Sequence, residues 1–302
     1  MTSFALFGLM GVLSADVDPM NLPLGPRGGT VEVARDVLVD TRTNKAATIR
    51  DIVKAADGHR FVYLGESHTN ADHHKMQADI IEALARRGRD VIVGFEMFTR
   101  PRQQDLNAWT LGWQSEADFI EKSGWKTEWG FDFSLYKPIF DVIKRLGLPM
   151  VALNVPRDWV RTVGRQGLAG LSQQQLDQLP KEIDTGWKDH RRFFEAMVGG
   201  HPMAGPMGDN MYAAQVLWDV GMADSALKYW DRTPRNTKTV IVIIAGVGHT
   251  AYGLGINGRI AKRTGEPGIT VSMVETADKA TVSRGLGDFV YAAKPSAESE
   301  KR

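Results

Sequence analysis

A carboxylate and an imidazole two residues apart at the end of an apolar run share one face of an extended chain. Glu66 and His68 in "FVYLGESH" (61–68) therefore aim at one point. Such a pair can pass a proton. Joined by further carboxylates and imidazoles, it can hold a hard or borderline divalent ion, with one carboxylate left as general base toward bound water. The same groups also make inert ion-pair networks. Glu96 closes a second apolar run, "DVIVGFEM", Asn154 closes "PMVALN", and His249 follows "TVIVIIAGVG". The vicinal pair His73 and His74 falls on the first turn of the next helix, where one ring would face the site and the other water.

The elements that must position these residues read as an α/β fold, a mainly parallel sheet flanked by helices. Phe61 to Leu64 suit a strand covered on both faces. Met76, Ile80 and Leu84 recur at i, i+4, i+8 up to Gly88, and "DVIVGFEM" then supplies the next strand, which completes a βαβ unit. A helix in "LYKPIFDVIKRLG" and the strands "PMVALN", "TVIVIIAGVGH" and "ITVSMVE" extend the pattern. In an open parallel sheet the carboxyl ends of the strands line the crevice where ligands bind, so Glu66, His68, Glu96, Asn154 and His249 should converge there. Between Asn154 and Thr239 no strand is apparent, which predicts a smaller inserted all-helical subdomain. The resulting division is a possible signal segment and lead-in (1–29), the sheet domain in two parts (30–156 and 239–291), the helical subdomain (157–238) and a disordered tail (292–302).

Composition narrows the chemistry further. Thirty-seven basic and 36 acidic residues give no net field toward nucleic acid or anionic membrane. With no cysteine, disulfides, thiolate metal sites and cysteine nucleophiles are excluded, as is a lipoprotein anchor. The apolar stretch Phe4 to Ala15 is too short to span a bilayer and favours export to the periplasm or an equivalent compartment, although no basic residue precedes Arg27. "GLGING" (253–258) does not directly follow a strand, and Ser67 has no G-x-S-x-G context, so neither a dinucleotide nor a serine-esterase site is expected.

Two G-x-x-H motifs, "GESH" and "GVGH", flank "FEM", and "NMYAAQVLWDVGMA" (210–223) and "GVGHTAYGLGI" (246–256) join them. In order and spacing these resemble the Tiki superfamily and, within it, the ChaN-like haem-binding uptake proteins, over about Val37 to Glu275. The resemblance implies a parallel α/β domain with a smaller helical domain. It also implies a homodimer holding two haems face to face, each iron on a tyrosine of one subunit and the propionates on His and Tyr of the other. Carried onto this chain, the iron ligand is Tyr212, with Tyr136 and Tyr252 as rivals, and His249 and Tyr252 are the propionate candidates. A phenolate suits ferric iron. Met211, Val216, Leu217 and Met222 are available to cover an apolar ring. The alternative, carried by the Tiki proteases and erythromycin esterases of the same superfamily, is a metal-dependent hydrolase. Glu66, His68, Glu96 and His249 would then be both metal ligands and catalytic groups.

Overall fold

The computed structural model describes residues 17–199, 203–233 and 238–297. The expected export segment lies outside them. The chain opens with three short strands, β1 (Thr30–Ala34), β2 (Leu38–Asp40) and β3 (Lys45–Ala47), and a helix, α1 (Ile49–Ala55). The βαβ unit follows as β4 (Phe61–Glu66), α2 (Ala71–Arg86) and β5 (Asp90–Thr99). Three helices, α3 (Gln103–Thr110), α4 (Glu116–Lys122) and α5 (Phe133–Leu146), lead to β6 (Met150–Asn154). The strand-free stretch contains α6 (Arg157–Gln166), α7 (Gln173–Leu176), α8 (Lys188–Met197) and the long α9 (Gly205–Trp230). The last elements are β7 (Thr239–Gly246), α10 (Ile256–Thr264), β8 (Ile269–Glu275), β9 (Lys279–Ser283) and β10 (Phe289–Ala293).

Among the described residues eight strands form one sheet in the order β3-β2-β10-β8-β4-β7-β5-β6. The six from β10 to β6 run parallel, while β2 and β3 form an antiparallel edge, and β1 pairs with β9 in a separate ribbon. Successive residues of a strand point to opposite faces, and the core divides accordingly. Val62, Leu64 and Phe95 face Ile80, Ile81 and Leu84 of α2 and Phe140 of α5. Phe61, Tyr63 and Ile243 face Met222 and Trp230 of α9 and Ile260 of α10.

Adjacent strands β4 and β7 thus feed helices on opposite faces, α2 and α10, and the crevice opens where those connections diverge. The helix after β4 starts where it does because the Asn70 side chain accepts the Asp72 and His73 N–H groups, which fixes the first turn and the two histidines on it.

Two expected boundaries shift. The helical insertion does not stand apart through residue 238. The first half of α9 packs Ala213, Ala214 and Leu217 on Val160 and Val163 of α6, but its second half is a layer on the sheet. Ala292 and Ala293, assigned to the tail, pair with Val274 and Glu275 as the end of β10. An alanine pair carries little strand propensity, so it is held extended by its neighbours, β8 on one side and the backbone of Asp36 and Val37 on the other.

Candidate functional site

Beyond the carboxyl ends of β4, β5 and β7 the chain forms a cleft of about 520 Å³. Its floor carries Glu66, His68, Gln215 and His249, and its lining also includes Phe193, Phe194, Met197 and Val198 from α8 and the residue after it. Two carboxylate–imidazole networks make the floor.

The first centres on Glu66, whose side chain is 1% exposed. Its Oε1 accepts from His68 Nδ1 at 2.9 Å and from the Tyr136 hydroxyl at 2.7 Å, and its Oε2 lies 2.8 Å from His74 Nδ1. Burial alone would raise the Glu66 pKa, but His74 and His68 reverse this and hold it well below the usual carboxylate range. Burial opposes charge on both imidazoles as well, and Glu66 still keeps each raised above the ordinary histidine value, with Glu96 assisting at His68. His68 is the accessible member, with 31% of its side chain exposed.

The second network is a line through the protein. Glu96 Oε2 accepts the Gly246 N–H at 2.7 Å, and its Oε1 lies 3.3 Å from His249 Nε2. His249 Nδ1 lies 2.7 Å from Asp219 Oδ1, and Asp219 Oδ2 lies 3.1 Å from His190 Nε2. His190 Nδ1 is 3.1 Å from the Tyr212 hydroxyl, which also donates to the Trp187 carbonyl at 3.2 Å. Although burial lowers the His249 pKa, Glu96 and Asp219 on its two sides push it up to about 10. Both carboxylates are depressed against the opposing effect of burial, Asp219 by His249 and His190 and Glu96 by His249 and His68. The two networks meet where His68 and Glu96 face one another across Gly246, since a Cβ there would fall 2.8 Å from His68 Cε1 and 3.7 Å from Glu96 Oε2. Gly246→Ala should therefore push the His68 ring from the floor at a cost of about 1 to 3 kcal/mol, read as a lowered denaturation midpoint and an altered imidazole resonance. An unchanged midpoint would show that the floor tolerates a methyl group.

Of the residues singled out in the sequence, Glu66, His68, Glu96 and His249 come together. Asn154 serves the backbone instead, donating to the Glu96 carbonyl at 3.0 Å and accepting the Val155 N–H.

The expected divalent-ion site does not form: among the described residues no three His, Asp or Glu side chains are arranged to hold a metal. The physical reason is that Glu66 is spent on His68 and His74, and Glu96 on His249 and a backbone N–H. Neither His73 nor His74 faces water, since both rings are fully buried. His73 accepts the Ser67 N–H, and burial lowers its pKa to about 4. Nor is Tyr252 brought to His249's side of the cleft, because its hydroxyl accepts the Leu22 N–H and donates to the Pro19 carbonyl. Tyr136 is held under Glu66, and Tyr212 is 2% exposed behind His190 and Phe194.

Asp219 and His190 were missed in the sequence. The available signal was an acid in the apolar stretch of α9, flanked by Val216, Leu217 and Val220, where an unpaired charge would be prohibitively costly.

The fold is that of an α/β protein with an accessory helical layer and a cleft beyond the carboxyl ends of its central strands. The sequence matches the family described as "Haem-binding uptake, Tiki superfamily, ChaN" over residues 52–260, well over half of the chain. The chain belongs to that family. Its fold is similar to that of ChaN of Campylobacter jejuni, solved with cofacial haem, at a TM-score of 0.63 and 16% identity, covering 84% of this chain and 95% of that one. An erythromycin esterase in its open conformation is similar at a TM-score of 0.48 and 13% identity, covering 80% of this chain and 77% of that one. No curated protein matches the chain. Among the described residues no helix is long and apolar enough to cross a membrane.

Proposed function

We propose that the chain binds ferric haem in the cleft and acts as a carrier in haem uptake, with the macrocycle covered by a second copy. The observation that carries this reading is the mixed lining of the cleft. Phe193, Phe194, Met197 and Val198 offer apolar surface, and the floor presents His68 and His249 with raised pKa values. A flat apolar ring with carboxylate arms fits such a cleft, because burial of the ring is driven by the hydrophobic effect and a carboxylate accepts charge-assisted hydrogen bonds from imidazolium. Of this apolar lining Met197 is 40% exposed, which suits a second subunit closing over the ligand.

Tyr212 is the iron ligand in this reading, and bound haem supplies a ferric centre that takes a phenolate. Burial raises the Tyr212 pKa, and the Arg259 and Arg191 guanidiniums oppose the rise, leaving it at about 12. Tyr136 is pushed well above its ordinary value by burial and by the Glu66 carboxylate, so it is the poorer source of a phenolate. Ligation requires the Tyr212 hydroxyl to leave the Trp187 carbonyl. Ferric haem titrated into the protein should give a tyrosinate charge-transfer band that Tyr212→Phe removes while the far-ultraviolet circular dichroism is retained. The same band in the variant would pass the role to another group. Sedimentation provides the second check: haem should drive monomer toward dimer, and a haem-saturated monomer would contradict the shared site.

A further inference from the structure

The first turns of α9 and the segment just before it carry three thioethers whose residue type the haem reading leaves unexplained, since any apolar side chain would serve as cover. Met203, Met207 and Met211 recur every four residues, and Met207 is 74% and Met211 39% exposed. On α9 Met207 and Met211 are neighbours one turn apart. Met203 precedes the helix, yet its chain is folded onto it: a Cβ on Gly208 would lie 2.7 Å from the Met203 Cβ. The Arg191 guanidinium donates to the Met203 carbonyl and holds that segment in place. Gly208 is three residues before Met211 on the helix, so the Met203 side chain starts one turn from Met211, which in turn neighbours Met207.

We propose that Met203, Met207 and Met211 form a binding site for a soft monovalent cation of the Cu(I) class. Thioether sulfur is a soft donor that favours Cu(I) over oxygen-seeking ions, and with no cysteine in the chain no thiolate competes. The amino end of α9 carries a partial positive charge that opposes any cation, so the affinity must come from the sulfur donors rather than from the field of the helix. Thioethers bind no proton near neutrality, so the affinity is independent of pH, in contrast to sites built on imidazole or thiolate. The proposal is independent of the haem reading.

The test is an anaerobic titration of the full chain with Cu(I) against a colorimetric Cu(I) chelator, repeated with Ag(I) as a redox-stable surrogate. The wild type should bind one equivalent with the same affinity at about pH 5 and pH 7, and the exposed double variant Met207→Leu/Met211→Leu should bind at least about tenfold more weakly. Leucine is close in volume and both positions are exposed, so the fold should survive, as circular dichroism would verify. Wild-type affinity in the double variant, a marked loss of affinity on acidification, or no binding by the wild type would each overturn the proposal.

Discussion

Asp219→Asn is expected to lower stability by about 3 to 5 kcal/mol near neutral pH, because it removes one charge from a fully buried line of ions and leaves the others in place. Asp219 is 0% exposed, with His249 at 2.7 Å on one oxygen and His190 at 3.1 Å on the other. The amide is nearly isosteric, so the loss reports charge rather than volume. The pH profile should identify the cause. The Asp219 pKa is depressed in the fold, so its contribution is present above the unfolded value of about 3.9 and is lost as pH falls through the folded value. His249 is raised to about 10, so the contribution of its charged form is complete below its unfolded value of about 6.5 and is lost as pH rises toward 10. The gap between wild type and variant in chemical denaturation should accordingly be widest between these limits and narrow on both sides. A gap under about 1 kcal/mol at neutral pH would mean that water or relaxation compensates the missing charge.

Glu66→Gln should cost about 3 kcal/mol at neutral pH, since one carboxylate answers His68, His74 and the Tyr136 hydroxyl at once. Gln can accept a hydrogen bond through one oxygen but cannot balance two imidazoles whose pKa values Glu66 raises. The sign of the pH effect is again fixed by a depressed carboxylate. The stabilisation exists above the unfolded Glu value of about 4.3 and disappears as pH falls through the lower folded value, so wild type and variant should converge in acid. A difference that persists undiminished at about pH 2 would point to lost packing instead. Since Glu66 floors the cleft, haem titration of the same variant reads its effect on the ligand separately from its effect on the fold.

Much of this was legible in the chain itself. The apolar runs at Phe61, Val91, Met150 and Val240 are strands because their side chains are covered on both faces, and polar residues near their carboxyl ends come out at one edge of a parallel sheet, although Glu96 lies inside β5, which runs on to Thr99, and does not end it as expected. That alone brought Glu66, His68, Glu96 and His249 to one place, and the spacing of Met76, Ile80 and Leu84 assigned α2. The motifs gave the family, which the match over residues 52–260 shows.

Only the tertiary structure decided which partner each group takes. Asp219 lies 30 positions before His249 and in the middle of a helix, and although its apolar neighbours call for a partner, nothing local says which one. It becomes the centre of the second network because α9 packs its second half on the sheet and aligns that turn with the end of β7. The same holds for the carboxylates. Residue types fitted a metal site, yet His74, Gly246 and Asp219 arrive from three elements and satisfy the polar atoms that an ion would have needed. Periodicity fixes which face of an element is buried, because that depends on neighbours a few residues away. The pairing of buried charges depends on contacts between distant segments, and in a low-dielectric interior those contacts decide which groups stay ionised.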